Sequence, residues 1–494
     1  MPAIPTMSIP VSESRGPYVL AMDIGSTASR GGLYDASGRP LKGSKQRVAH
    51  SFTVGDCGAS TIDADQVVAE IGRIIDGVLH FAELNGLADR IAAVALDTFA
   101  SSMIAVDGDS RALTPCITYA DARSAPYVEQ LRERVDERDY HLRTGVRLHT
   151  SYHPSRLLWL REEYPDLFNR TATVMTIGEY VYLALAGIRG LSTSMAAWSG
   201  ILNAHTAELD TATCEMVGVS PELFAPLAEP DEPAVAGEVG RRWASISGVP
   251  WFHAIPDGWS SNIGPGAVDS RTVAAAAATS GAMRVLLPEV PGEIPEGLWC
   301  YRLSRSRCIV GGALNDVGRA VSWLEHTLAP VDNLAGILAG PPLPASPDVL
   351  PFFTGERATG WANGARAAFT GISAATGPEH IWRGVFEAVA LSYQRVWEQM
   401  ARAGATPERV IASGSVVVDH PEWLQMLADA LDTPVIPLTM KRSTLRGTAL
   451  IALDALDPGG TRALPPLGTA FDPVHVAHYR RARSIFDELY RKLV

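Results

Sequence analysis

The residues Asp23-Ile-Gly-Ser-Thr-Ala-Ser-Arg30 follow a short apolar run, Tyr18–Met22, and bring anion chemistry into a single turn. Gly25 lets backbone N–H groups come close to an anion, and Ser26, Thr27 and Ser29 add hydroxyl donors. Asp23 supplies a hard carboxylate suited to Mg2+ or to a water bound to it. A polar hairpin loop that binds nothing has the same composition, so the turn gains meaning only from partners elsewhere in the chain.

Several stretches offer themselves. Thr279-Ser280-Gly281 sits between the apolar runs 272–279 and 283–287 and repeats the strand, polar turn, strand pattern. Ser413-Gly414-Ser415 ends a strand-like run from Arg409; a glycine there admits a flat base or ribose, and the next helix adds a positive pole. Asp257, followed by Gly258, Asn262 and Gly264, is either a helix N-cap or a general base for a hydroxyl that attacks a phosphoryl group. Asp121 and Arg123 share one loop, where they hold sugar hydroxyls or simply pair with each other. His141, His149 and His153 lack metal-ligand spacing and read as surface or packing residues. There is no GxxxxGK[ST] and no usable GxGxxG, which excludes a P-loop and a Rossmann site.

These residues need strands and helices to hold them. Apolar residues at Val67, Ile71, Ile74, Ile75 and Val78 predict a helix over 64–84, and Ile91–Leu96 reads as a buried strand. Met103–Val106 with the turn 107–110 reads as a hairpin, and helices follow near 122–136, 154–163 and 178–186. The Pro- and Ala-rich stretch 225–237 suits a connector. In the second half the run of alanines 274–278 favours helix by propensity, against the strand pattern. Pro378 opens an amphipathic helix through Ile381, Val385, Val389, Tyr393, Val396 and Met400 to a cap at Gly404. Asp419 and Glu422 look like a capping box for a helix running to Leu431.

With 494 residues the chain is too long for one core, and two domains of roughly 250 residues follow. We expect a flexible tail over 1–17, a first domain over 18–251, and a second over 252–494 that includes Asp257. A net charge of −12 argues against a nucleic-acid partner. No run is long and apolar enough for a membrane helix, and five cysteines without CxxC spacing fit reduced thiols in a cytoplasmic protein.

Taken together, the residues resemble the FGGY family of carbohydrate kinases. Asp23-Ile-Gly-Ser-Thr27 is similar to its first phosphate loop, and Thr279-Ser-Gly-Ala-Met-Arg284 to its second. Ser413-Gly414 with Pro421–Asp429 resembles its adenosine segment, and Asp257-Gly258 lies where the family keeps a catalytic aspartate. Phe369-x-Gly371-Ile372 through Val385-Phe386-Glu387 resembles a family signature, and Pro351–Arg357 and Gly311–Asp316 are also family-like. Gluconate kinases look nearest, through Thr114–Arg123, Arg156–Phe168 and Ser199–Asn203. Where sugars are chosen the chain departs: Ser101-Ser102-Met103 has no Met-His pair, Arg156 replaces a lysine, Gly178 precedes Glu179 where lysine is common, and Leu191 stands where an aspartate is common.

The resemblance implies an α/β fold of two actin-like (ribonuclease-H-like) domains, with ATP and a small carbohydrate in the cleft between them. It implies Asp257 as catalytic base. Asp23, Gly25, Ser26, Thr27, Thr279, Ser280, Gly281, Asn315, Gly414 and Ser415 would hold ATP and Mg2+, with Asp23 reaching the metal through water. Asp121, Arg123 and Ser102 would hold the sugar, and relatives suggest a homodimer. The expected activity is gluconokinase-like phosphorylation of a primary hydroxyl. A pentulose or polyol kinase, and a non-catalytic ATP-binding sensor on the same fold, are the alternatives.

Overall fold

The run Tyr18–Ile24 forms a strand (β1) in which every residue is buried, so both of its faces must be covered. It is central in a sheet with β2 (Ala28–Tyr34), β3 (Gln46–Ala49), β4 (Ile91–Thr98), β5 (Pro233–Ala234), β6 (Trp251–Phe252) and β7 (Ile255–Pro256). The order is β5-β6-β4-β1-β2-β3, with β7 also paired to β4. This is a computed structural model, and it describes residues 7–440 and 443–494. One face of the sheet packs Leu20, Met22 and Ile24 on Val67, Ile71, Ile74 and Val78 of helix α1 (Ala64–Leu84). The other face, Val19, Ala21, Ala93 and Ala95, meets Leu445, Ala449, Leu450 and Leu453.

The second sheet repeats the plan with β8 (Thr272–Ala277), β9 (Gly281–Leu287), β10 (Trp299–Ser304), β11 (Arg307–Leu314), β12 (Arg409–Ser413) and β13 (Val435–Pro437), in the order β10-β11-β9-β8-β12-β13. An antiparallel hairpin, β1–β2 or β8–β9, has a parallel strand, β4 or β12, on its other side. The alanines of β8 are extended despite their helical propensity, because β9 and β12 bond both edges and small side chains let helix α3 (Pro378–Arg402) pack closely. Val385, Val389, Tyr393, Val396 and Met400 are the buried face of that helix, and Gly404 past its end has φ +91°.

Several sequence expectations are corrected here. Residues 251–256 belong to the first sheet, so Asp257 is positioned by β4 and β7 and not by the second domain. Within the expected connector, 233–234 is that sheet's edge strand. Asp419 caps nothing: it ends a short helix, Ser415–Asp419, and the next helix starts at Trp423 without a side-chain cap. Of the expected flexible tail, residues 1–6 lie outside the described residues. Ile9 is buried and its N–H donates to the Pro40 carbonyl, so that end of the chain is packed.

Helix α4 (Ser443–Leu456), late in the chain, crosses helix α2 (Asp257–Ile263), which begins at Asp257. Glycines make the crossing close. A Cβ on Gly447 would lie 1.9 Å from the Ser260 carbonyl oxygen, and one on Gly264 would lie 2.0 Å from that of Ser443. Arg446 donates to the Gly264 carbonyl at 2.5 Å. We expect Gly447→Ala to push the helices apart and cost roughly 1–3 kcal/mol, although alanine is the better helix former. Thermal unfolding measures that cost, and an unchanged midpoint would contradict the close approach.

Candidate functional site

Three carboxylates meet where β1, β4 and β7 end. The parallel register sets Asp23 beside Asp97, and Pro256 beside Thr98, so Asp257 leaves the sheet next to both. Asp97 was missed by the sequence reading, which ended its strand at Leu96; its only signal was a carboxylate closing an apolar run, as Asp23 does. Asp97 is fully buried, accepts from the Thr448 hydroxyl of α4, and leaves its second oxygen without a partner. Burial, then Asp23, raises Asp97 well above the usual carboxylate range. Burial also raises Asp23, opposed by Arg30, whose guanidinium bonds it at 2.7 Å. Of the two neighbouring carboxylates, Asp97 is thus the one more strongly held toward its protonated form, because Asp23 has Arg30 to offset its burial and Asp97 has no cation among the described residues.

Asp257 is half-buried as the first residue of α2. Burial pushes it up to about 6, the charge on Asp23 adds to the rise, and Arg284 on β9 opposes it. A carboxylate so placed is ionised at neutral pH and still basic enough to take a proton from a hydroxyl.

Both polar turns are braced from behind. His50 bonds the Gly25 carbonyl through Nε2 at 2.7 Å and Glu70 through Nδ1 at 2.7 Å, and Ser29 donates to the same Glu70 oxygen. Ser26 and Thr27 stay partly or fully exposed. Thr279 and Ser280 are exposed at the second turn, where the N–H groups of Gly318 and Arg319 hold the carbonyls of Ala278 and Thr279. A Cβ at Gly281 would lie 2.2 Å from the Tyr393 hydroxyl, and one at Gly414 (φ +116°) 2.1 Å from the Ala277 carbonyl. Both glycines are thus demanded by packing as well as by any nucleotide. Ser415 is exposed at the start of its short helix.

Other expected residues are engaged elsewhere. Asn315 donates to the carbonyls of Thr354 and Gly355 and so braces the next loop. Ser102 is wholly buried and its hydroxyl accepts from the Ile177 N–H, so it lies within the wall of the fold. Asp121 is buried; its oxygens accept from the Ser60 N–H, the Arg123 N–H and the Arg123 guanidinium. That pair is a brace, with Arg123 lying 4.6 Å over the Trp159 ring. Arg156, also buried, ties the carbonyls of Ser101, Thr118 and Thr150 together. A cavity of about 670 Å3 includes Asp23 and Arg30 in its lining but neither Asp257 nor Thr279, so it is not the space between the turns. Among the described residues no group of His, Cys, Asp or Glu forms a ready metal cage.

The arrangement has known counterparts. Residues 18–264 match the N-terminal domain of the FGGY family of carbohydrate kinases, and residues 206–456 match its C-terminal domain. The chain belongs to the FGGY family. It is therefore an ATP-dependent sugar kinase. A gluconokinase of Bacillus subtilis is 24% identical over 89% of this chain and 87% of its own length. A xylulose kinase of the same organism is 23% identical over 95% of this chain and 94% of its own. In structure, a gluconate kinase from Lactobacillus acidophilus superposes with a TM-score of 0.86 at 23% identity, covering 96% of this chain and 98% of that one. A xylulose kinase from Rhodospirillum rubrum superposes with a TM-score of 0.88 at 22% identity, covering 96% and 99%. The two-domain α/β architecture of this FGGY kinase is thus that of the solved sugar kinases.

Because the folded kinase resists ionising Asp257 more than the unfolded chain does, the stability linked to its protonated form is present below about pH 4 and lost as pH rises through about 6. Asp257→Asn removes the buried charge and should stabilise the protein at pH 8 by up to about 3 kcal/mol, and by less at pH 5. Denaturant unfolding at the two pH values checks this; destabilisation at pH 8 would show that the ionised carboxylate stabilises the fold more than its burial costs.

Proposed function

We propose that Asp257 is the general base of this kinase and that the acceptor is a primary hydroxyl of an open-chain sugar or sugar acid, in the manner of a gluconokinase. The position of Asp257 carries the reading: a carboxylate poised near 6 at the end of the first sheet, facing Arg284 of the second. Asp257 takes the hydroxyl proton as the oxygen forms its bond to the γ-phosphorus of ATP. The bond from that phosphorus to the β,γ-bridging oxygen breaks, and ADP leaves with the electron pair. N–H and hydroxyl donors of Ser26, Thr27, Thr279 and Gly281 face the charge that moves between the phosphates. Gly414 and Ser415 are assigned to the adenosine side.

Asp23, paired with Arg30, suits a Mg2+ that would keep its own waters and the substrate phosphates and need no protein cage. When bound, that ion neutralises phosphate charge. Closure of the two halves would exclude water and limit wasteful ATP hydrolysis.

The xylulose kinases at comparable similarity support a second reading, a pentulose as acceptor. A non-catalytic sensor has no use for a carboxylate held near 6 beside two phosphate-type turns.

Asp257→Ala or Asp257→Asn should lower kcat/KM for the acceptor by about 10³-fold or more while ATP affinity stays within about threefold of wild type. Near-normal turnover in either variant would remove Asp257 from the base role. In the wild type, kcat/KM should rise with pH through about 6 and level off above it, and a flat profile would count equally against it.

A further inference from the structure

Two inward-lying arginines stand out because their guanidinium groups are taken up by neither a carboxylate nor a carbonyl among the described residues. Arg284 and Arg357 are half-buried, and neither forms an ion pair or a side-chain hydrogen bond among the described residues. The Nε of Arg357 is buried without any partner. Guanidinium groups drawn out of water normally find a carboxylate, because leaving their donors empty is costly. The nearest candidate is already taken. Glu356, beside Arg357 in sequence and almost wholly buried, is bound by Arg395 at 2.6 Å and by the Tyr490 hydroxyl. Asn315 pins the carbonyls of Thr354 and Gly355 in the same loop. With Glu356 fixed on Arg395, Arg357 is left facing the first half of the chain.

Arg284 reaches the same place from the sheet. Its neighbours Met283 and Val285 point into the core of the second half, whereas Leu286 on its own side joins Trp299, Tyr301, Tyr152 and Trp198 in the cluster between the halves. Its guanidinium lies 5.8 Å from the Trp299 ring centre. Around the arginines stands a wall of rings. Tyr301 stacks on Trp198 at 3.8 Å, the Tyr152 and Tyr301 hydroxyls bond at 2.7 Å, and His149 lies edge-on to Trp361 at 6.1 Å. His149 accepts the Ser151 N–H on Nδ1, and burial together with Arg357 pushes it down to about 3, so it is neutral and its Nε2–H is a donor. The groups whose charges act on these arginines are Asp257, Tyr119, Tyr152, Tyr301, Tyr393 and His149; Asp257 is the sole carboxylate among them. Arg156 and Arg132 add further positive field at His149.

We propose that Arg284 and Arg357 together seat a carboxylate of the acceptor, so that the substrate class of this kinase is the sugar acids. The inference rests on the kinase reading above and names its acceptor. A carboxylate on the arginines and a carbon chain along the rings bring the substrate's other end toward Asp257, which shares Arg284 as neighbour. The γ-phosphate of ATP is the other anion within the cleft. Arg284 lies three residues along β9 from Gly281, about 10 Å from the phosphate-type turn. An aromatic wall suits a carbon chain better than a triphosphate.

The test pairs C5 and C6 aldonates, D-gluconate among them, with the alditol of the same configuration, and adds D-xylulose. Steady-state kinetics are measured on the wild type, Arg284→Met, Arg357→Met and Arg284→Lys. The wild type should favour one aldonate over its alditol by about 10²-fold in kcat/KM. Each Met variant should raise KM for that aldonate by about 30-fold, leave KM for MgATP within about threefold, and erase most of the preference. Arg284→Lys should recover part of it. A wild type that prefers alditols or D-xylulose overturns the inference and keeps the kinase. Variants that raise KM for MgATP and spare the acceptor overturn it too, placing the arginines on phosphate. If no acceptor is phosphorylated, calorimetry of aldonates with ADP present separates the two readings. Binding lost in the Met variants sustains the inference and removes the kinase reading, and no binding by the wild type overturns both.

Discussion

Like charges cannot share a small buried space unless something holds their protons and counter-ions in order. In this protein Asp23, Asp97 and Asp257 are brought together by three strands that run the same way and end together. The sheet leaves them no choice of place, so the surroundings sort their charges. Burial and the neighbouring Asp23 push Asp97 up against the opposing Thr448 hydroxyl, Arg30 opposes the burial of Asp23, and Asp257 is left titrating at about 6. The braced turns, the glycine crossing of α2 and α4, and the Arg284 cation that acts on Asp257 all surround this one point.

The elements whose signals are local could be read from the chain alone. The hairpin at Asp23 and its echo at Thr279 announced themselves by composition, and the helix over 378–402 by its apolar period and its Pro and Gly ends. At Asp257 the sequence left a helix N-cap and a general base both open, and only the register of β4 with β1 and β7 sets it beside Asp23 and Asp97. What could not be read depends on contacts between distant residues. The alanines of β8 are strand only because β9 and β12 flank them. Ser102 looks available in sequence and is sealed by Ile177, seventy-five positions later.

The same holds for the polar groups expected to meet a sugar. Asp121 and Arg123 bind each other, and Arg156 spends its donors on three backbone carbonyls. Such groups shape a cleft by holding its walls and need not touch what enters it. By contrast Arg284 and Arg357 carry no sign of a role of their own in the sequence. Their meaning lies in the missing counter-ion, which is a property of the folded neighbourhood and of no motif. Family membership follows from many ordered matches across both halves, whereas acceptor choice turns on a few side chains whose partners the fold alone reveals.

Helix α4 belongs by sequence to the end of the chain and by packing to the sheet at its beginning. A ribosome making this protein releases the first sheet hundreds of residues before the helix that covers one of its faces. Until residue 456 has emerged, Val19, Ala21, Ala93 and Ala95 lack part of their apolar cover, and Asp97 lacks the Thr448 hydroxyl that donates to it. The first half therefore cannot mature on its own during synthesis. In a nascent or truncated chain the three carboxylates lack their final surroundings, which form only when the last part of the protein closes over the first.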